Sequence, residues 1–371
     1  MQSNKLRMAI RSTAVIAVLG VSSQVGAVTI NAGDVEASIY GYAQLTSTYD
    51  MDEDISGAAL EGSYDNLGGA DENIEGHFAA TANQSRIGIN LTHPTSVNVK
   101  FEGDFYTGTF RLRHAYGEYN GILAGQTWSN YSTFVSNATL LDFNAASGSA
   151  GRQLRNPQLR YTSGAMSFSI EEPSDASVEG GTQKTGTPTF TARIEDSQGG
   201  LSYSVAAMAK QVSSDNGTVD DSAIGYGAFA AMGVKLTDMI SFNGVINYTD
   251  GAGSYLYQSG ASDAYMDGNS IETISGYGGS LGAGIDLGGD RSINIGAGMT
   301  KVDWDDAIAA TATSSVTNAE DETRQNVFVN YLWSPVKAVM MGVEYSYWNA
   351  ETVAGDSTDA SRLMYVARYS F

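Results

Sequence analysis

Cysteine is absent from the 371 residues, proline occurs only 5 times and histidine 3 times, and Lys plus Arg number 20 against 41 Asp plus Glu. Each scarcity removes a class of protein. Without cysteine there is no disulfide framework and no thiolate metal site. A formal charge of −21 leaves no basic face for nucleic acid. No stretch approaches 18 consecutive apolar residues, so no helix of this chain reads as a membrane span. The most apolar run, residues 14–21, follows Lys5, Arg7 and Arg11 and precedes Val25-Gly26-Ala27. That is the pattern of a secretory signal peptide over residues 1–27. Export without cysteine suits a bacterial envelope protein.

What is abundant is glycine (43) and tyrosine (21), a composition of strands, turns and aromatic rims. Removing the leader leaves 344 residues, of which 17 are basic and 41 acidic, a net charge of −24. Alternation of apolar and polar residues predicts sixteen strands, near 38–49, 85–93, 97–106, 109–119, 121–128, 157–163, 165–172, 189–195, 201–209, 224–234, 238–249, 275–287, 290–302, 324–333, 337–348 and 361–371. A tilted strand needs about 9 to 11 residues to cross a bilayer, and most of these suffice. Residues 28–37 form a short segment ahead of the first strand.

The connections carry a second signal. Those after strands 1, 5, 7, 9, 11, 13 and 15 read as long and polar. Those after the even strands are turns such as His93-Pro94-Thr95, Asn120-Gly121, Gly199-Gly200 and Gly288-Gly289. The short link after strand 3 is the one breach. A soluble sandwich has no reason for this rhythm, whereas an up-and-down barrel with short periplasmic turns and long outer loops produces it. Charge agrees: the predicted strands hold 12 basic and 10 acidic residues, leaving 5 basic and 31 acidic elsewhere, so the loops carry −26. In the cleaner strands one parity stays apolar, as in Val327, Val329, Tyr331 and Trp333, or Val339, Met341, Val343, Tyr345 and Tyr347. Lipid supplies the reason, since a Lys or Arg facing mid-bilayer costs about 2 to 4 kcal/mol. The predicted fold is therefore all-β, a sixteen-stranded antiparallel transmembrane barrel over residues 38–371, in the bacterial outer membrane. Closure pairs every backbone donor and acceptor within lipid.

Residues 97–163 hold the candidate site. In Val97-Asn98-Val99-Lys100-Phe101-Glu102-Gly103-Asp104-Phe105 the even positions are polar, and Phe110-Arg111-Leu112-Arg113-His114-Ala115-Tyr116 runs back with the same period. Parity places Arg111, Arg113 and Arg160 on the polar side. The long segment 129–156 carries Arg152 and Arg155 and must start and end beside them if it folds into the barrel, as a constriction loop. Guanidinium groups keep their charge and grip carboxylates through paired donors, so Arg111, Arg113, Arg152, Arg155 and Arg160 are the candidate selectivity residues for small anions. The competing reading is that they pair with Glu102, Asp104 or Asp142 and stiffen the wall.

Other patterns weigh less. Asp50, Asp52, Asp54 and Glu61 match positions 1, 3, 5 and 12 of a calcium loop, but Ile55 stands where glycine is required and no helices flank it. Gly278-Gly279-Ser280-Leu281-Gly282 fits a nucleophile elbow, yet all three histidines precede it, against the hydrolase chain order. His77 falls in the first outer loop, His93 in a turn, and His114 on the outward parity of strand 4. No catalytic, metal or cofactor site is expected.

The last strand, Leu363-Met364-Tyr365-Val366-Ala367-Arg368-Tyr369-Ser370-Phe371, ends in aromatic-x-Phe and resembles the assembly signal of Gram-negative outer-membrane proteins. Phe110-Arg111-Leu112-Arg113-His114-Ala115-Tyr116-Gly117-Glu118-Tyr119, with Ala124-Gly125-Gln126-Thr127-Trp128-Ser129-Asn130, Ser334-Pro335-Val336-Lys337 and Gly342-Val343-Glu344-Tyr345, resembles the DcaP-like porin family. That resemblance implies a homotrimeric sixteen-stranded channel associated with uptake of small organic anions, inserted by the outer-membrane assembly machinery through Phe371. Some members carry a coiled-coil segment ahead of the barrel; here about ten residues, 28–37, stand in that place. The functional expectation is a porin for small hydrophilic solutes, favouring organic anions. The acidic loops favour the alternative, a general, weakly cation-selective porin. A non-channel barrel and a secreted calcium-dependent β protein are more distant alternatives.

Overall fold

A computed structural model describes residues 27–69, 74–173, 177–310 and 315–371, so the predicted leader lies outside the described residues except for Ala27. Sixteen strands form one barrel wall: β1 (Val35–Asp50), β2 (His77–Thr81 with Arg86–Thr92), β3 (Asn98–Asp104), β4 (Arg111–Tyr119), β5 (Ile122–Trp128), β6 (Arg155–Ser163), β7 (Met166–Glu171), β8 (Thr189–Gln198), β9 (Leu201–Asp215), β10 (Asp220–Lys235), β11 (Ile240–Asp250), β12 (Ser275–Asp286), β13 (Arg291–Val302), β14 (Asp321–Val336), β15 (Val339–Thr352) and β16 (Ser357–Ser370). Each pairs antiparallel with its neighbours in sequence. β1 pairs with β16 from Tyr42↔Ser370 to Asp50↔Arg362, which closes the barrel.

The seam is finished by both chain ends. Phe371 exchanges backbone hydrogen bonds with Gly41, and a Cβ on Gly41 would stand 2.9 Å from the Phe371 ring and 2.4 Å from the Arg86 carbonyl oxygen. A leading strand, Val28–Ala32, turns at Gly33 and pairs with Val35–Ile39. Segment 28–37 is thus itself a hairpin on β1.

Alternation fixes which face meets lipid. In β15 Val343 and Tyr345 are exposed while Glu344 and Ser346 are buried. In β7 Met166, Phe168 and Ile170 are exposed while Ser167, Ser169 and Glu171 are buried. Exposed aromatics gather toward both strand ends, with Tyr119, Tyr161 and Tyr369 beside the short turns and Tyr49, Phe78, Phe105, Phe110 and Tyr248 at the other rim. These are the two interfacial girdles of an outer-membrane barrel. The buried apolar clusters lie inside the barrel, where the outer loops pack on the wall, as in Tyr131 and Tyr255 against Phe229, and Ile55 and Tyr64 against Trp348 and Phe328.

Three sequence expectations need correction. The links after β9 and β15 are not long loops: only residues 216–219 and 353–356 leave the ladder, because the hairpins continue pairing to Asp215↔Asp220 and Glu351↔Ser357. Above the lipid the outward face need not be apolar and the inner one is covered by loops, as Val212 is by Val178 and Met266, so apolar alternation ends before pairing does. His77 is not in the first outer loop but opens β2, pairing with Asp50. His114 faces inward, because a bulge sets Glu102 and Gly103 opposite His114 and Leu112, so that Arg113 and His114 both turn to the interior. Its Nδ1 lies 2.9 Å from the Thr127 hydroxyl.

The wall is uneven. β3 to β7 have 7, 9, 7, 9 and 6 residues, whereas β9, β10 and β14 have 15, 16 and 16. At roughly 3.3 Å per residue and about 45° of tilt, a seven-residue strand rises about 16 Å, short of the ~25 Å apolar band of a bilayer.

Candidate functional site

The inner loop, residues 129–154, begins and ends at adjacent strands, with the Ser129 amide donating to the Leu154 carbonyl. Between these points it runs around the inside of the wall. Asn130 donates to Thr191 on β8, and Thr133 to Glu195 further along that strand. Val135 passes Gly233 on β10, and Ala138 passes Gly282 on β12 and Gly296 on β13. The Thr139 carbonyl accepts from Asn330 on β14, the Leu141 and Asp142 amides donate to Glu344 on β15, and Asp142 lies 3.8 Å from Arg362 on β16.

Glycine makes this course possible. A Cβ on Gly282 would stand 2.7 Å from the Ala138 methyl, and one on Gly298 would stand 2.1 Å from the Ser147 carbonyl oxygen. The glycines of one parity in β12 and β13 are the seat of the loop backbone, which explains the G-x-S-x-G run without a nucleophile. Ser280 is buried on the same face. Replacing Gly298 by Val overpacks this seat, a change that costs about 1 to 3 kcal/mol. We expect the folded, heat-modifiable band on gels to be lost at a lower temperature than in wild type.

Facing the loop is the wall of β2 to β6. Arg111 Nε donates to Asp104 Oδ1 at 2.7 Å, and its guanidinium lies 4.0 Å over the Tyr106 ring. Arg113, almost wholly buried, bridges two acids, with Nε 2.9 Å from Glu102 Oε1 and Nη1 2.6 Å from Asp104 Oδ2. Two residues outside the predicted set join them: Arg86 at 3.3 Å and Lys100 at 3.6 Å from Glu102. Tyr40 adds a hydroxyl donor to Glu102 at 2.8 Å. Four cations thus share two carboxylates, a surplus of two positive charges.

Arg155 adds another. It opens β6, stacks 3.7 Å over the Trp128 ring, and lies within electrostatic reach of Arg113, Arg86 and Arg111. Its Nε and Nη2 are buried without a hydrogen-bond partner among the described residues. Arg368 stands behind, 4.4 Å over the Tyr42 ring that Arg86 also faces.

The five predicted arginines therefore divide. Arg111, Arg113 and Arg155 come together. Arg152 is turned away, its Nε 3.3 Å from Asn156 Oδ1 and its guanidinium 5.2 Å over Tyr255. Arg160 lies on the inner parity opposite Leu123 and Ser169, near the short turn, in the field of Arg193, Glu171 and Glu118. Pairing with Glu102 and Asp104 occurs for Arg111 and Arg113, but Asp142 is not a partner of any of the five. It faces Arg362 instead. Arg86 and Lys100 were readable as inward-facing strand charges, and their common partner Glu102 is the signal that links them.

The acids of the calcium-like pattern are individually occupied. Asp50 binds Arg362, Asp52 accepts the Ser361 amide, Asp54 accepts the Ser56 amide, and Glu61 accepts the Tyr106 hydroxyl and the Ala59 amide. Among the described residues no group of acids and histidines converges on a metal site.

A closed sixteen-stranded barrel with a lipid-facing apolar belt, short turns at one end and a loop folded inward is an outer-membrane porin. The chain belongs to the DcaP outer membrane protein family, whose model matches residues 20–371. It is similar to the crystal structure of the outer membrane channel DcaP of Acinetobacter baumannii, at 27% identity and TM-score 0.80 over 93% of this chain and 100% of that one. The fold is shared at 11% identity with the anion-selective porin from Comamonas acidovorans (TM-score 0.61, 91% and 100% covered) and with OmpT of Vibrio cholerae in its trimer form (TM-score 0.56, 91% and 100% covered). No curated protein matches the chain by sequence.

Proposed function

We propose that this porin favours small organic anions, which pass between the inner loop and the basic wall of Arg86, Lys100, Arg111, Arg113 and Arg155. The observation that carries this reading is the surplus of charge. Four cations hold two acids, and Arg155 keeps buried donors with no partner. Wall pairing and selectivity coexist here, because the pairs fix the guanidinium positions while the surplus sets the sign of the field. Aromatic rings hold the same groups from behind, Tyr106 under Arg111 and Trp128 under Arg155. Arg152 and Arg160, off this patch, extend the field toward the outer mouth and the periplasmic turn.

The low wall supports the homotrimer reading. Strands β3, β5 and β7 are too short to span the apolar band alone, and a second copy of the chain covers such a face where lipid cannot match it. The signal peptide over 1–27 and insertion by the assembly machinery through Phe371 belong to the same reading.

Swelling of liposomes that carry the purified protein tests the preference. For solutes of equal size we expect the anionic one to enter fastest and the cationic one slowest. The reverse order favours the general, weakly cation-selective reading, in which the 31 acids outside the predicted strands decide.

A further inference from the structure

We propose that Glu344 is the positioning residue of this channel: from the wall it holds residues 141–142 of the inner loop, and the latch is tight only while the neighbouring Asp142 carboxyl carries its proton. The proposal rests on the reading that this loop bounds the passage.

Glu344 is the one acidic residue of β15 between its short turn and the outer rim. It is 2% exposed, and its carboxylate accepts two consecutive backbone amides, from Leu141 at 2.8 Å and Asp142 at 2.9 Å. A third donor, Asn330 Nδ2 at 2.9 Å, orients it, and the same amide group reaches the Thr139 carbonyl at 2.8 Å. One wall side chain and its partner thus hold the loop at three backbone points, Thr139, Leu141 and Asp142. Next along the loop, Phe143 lies 5.7 Å from the Arg113 guanidinium and packs on Tyr106. The segment held by Glu344 therefore sets how far the loop stands from the basic wall.

The latch is short of positive charge. Asp142 accepts the Gly62 amide and the Asn144 amide, each at 2.9 Å. Among the described residues its one cation within ion-pair distance, Arg362, lies 3.8 Å away and is already committed to Asp50 and to the Leu60 carbonyl. Three buried carboxylates, Asp50, Asp142 and Glu344, thus face one guanidinium. From the loop after β1, Glu61 and Asp54 add negative charge, and from the loop after β11 Tyr257 faces the same space, donating to Asn144. Burial, with the Glu344 charge as the second contribution against the pull of Arg362, pushes the Asp142 carboxyl up to about 7.

The sign follows. A carboxyl raised above its ordinary value near 4 resists ionisation in the folded state, and the penalty grows as pH rises from about 4 to 7. Below about 7 Asp142 is neutral, so the contact holds at most one negative charge. Above it, two like charges meet in a buried space, and the 141–142 stretch loosens.

The test is the current through the purified full-length channel in a planar bilayer, recorded between about pH 6 and 8.5. We expect wild type to be steady at the acid end and to show brief closures that become about tenfold more frequent at the alkaline end. Asp142→Asn should flatten that profile. Glu344→Gln, which replaces the charged acceptor by an amide of equal size, should show frequent closures at every pH. Wild-type closures that appear on acidification instead, or a heat-modifiable and therefore folded Glu344→Gln channel as steady as wild type, overturn the proposal. If Glu344→Gln does not fold, the wild-type and Asp142→Asn profiles decide alone. The reversal potential in the same bilayers separates the two readings: cation selectivity with the pH profile intact overturns the arginine reading and not the latch.

Discussion

Exchange of Arg155 for Glu should cut the preference for anions about tenfold. Of the basic wall, Arg155 is the member whose charge is not spent on a carboxylate: among the described residues no acid lies within ion-pair distance, and its Nε and Nη2 have no hydrogen-bond partner. The substitution changes the local charge by two units. In a water-filled passage, two units at roughly 6 Å alter the energy of a monovalent anion by about 1.4 kcal/mol, and each 1.36 kcal/mol is a factor of ten. Arg111→Glu and Arg113→Glu are worse experiments, because they also strand Asp104 and Glu102 and so mix a field effect with a folding effect. The permeability ratio of chloride to potassium, from paired recordings of wild type and Arg155→Glu, checks the value. An unchanged ratio would place the determining charges elsewhere, in the acidic loops.

Arg362→Met should give the largest loss of stability of any single substitution considered. The side chain is fully buried, its Nη2 donates to Asp50 Oδ2 and to the Ser56 hydroxyl at 2.8 Å, and its Nη1 donates to the Leu60 carbonyl at 3.0 Å. Asp50↔Arg362 is also the outermost register pair of the β1–β16 seam that closes the barrel. Methionine fills much of the volume but leaves Asp50, Asp142 and Glu344 without a cation. Breaking a buried pair in this way costs about 3 to 5 kcal/mol. The temperature at which the heat-modifiable band disappears should fall accordingly, and Asp50→Leu combined with Arg362→Met should recover part of the loss, because the Asp50 carboxylate is then no longer left buried without its partner.

The barrel is largely legible in the sequence because lipid imposes a period that water does not. Wherever a strand has an outward face at membrane depth, one parity must stay apolar, and the expected strands fall on the observed ones. The period stops being informative at the rims. The continuation of β9 and β10 to Asp215 and Asp220 is paired backbone above the lipid, where the outward face need not be apolar, and the piece of β2 from His77 to Thr81 is cut off from the rest by residues 82–85. The bulge at Arg113 is a second limit, since one extra residue inverts the parity of all that follows and strict alternation placed His114 outward.

Of the candidate arginines the structure brings Arg111, Arg113 and Arg155 together, a grouping the sequence does not show. Sequence separation hides which of two inward charges a third will meet, so the candidate set joins Arg152 and Arg160 to residues they do not contact and omits Arg86 and Lys100. The loop anchor lies outside the candidate set, although it leaves a trace. Glu344 and Arg362 each stand at inward parity in strands otherwise free of charge at that depth, and a buried charge there requires a partner that only an inward loop can supply. The inward glycines of β12 and β13 carry the same message, as a strand face stripped of side chains is a face with backbone lying on it.

The most direct test of the central claim is the reversal potential of the wild-type channel in a planar bilayer under a potassium chloride gradient. The account predicts a potential of the sign set by chloride, because the wall of β2 to β6 carries a surplus of positive charge. A potential of the sign set by potassium would contradict it.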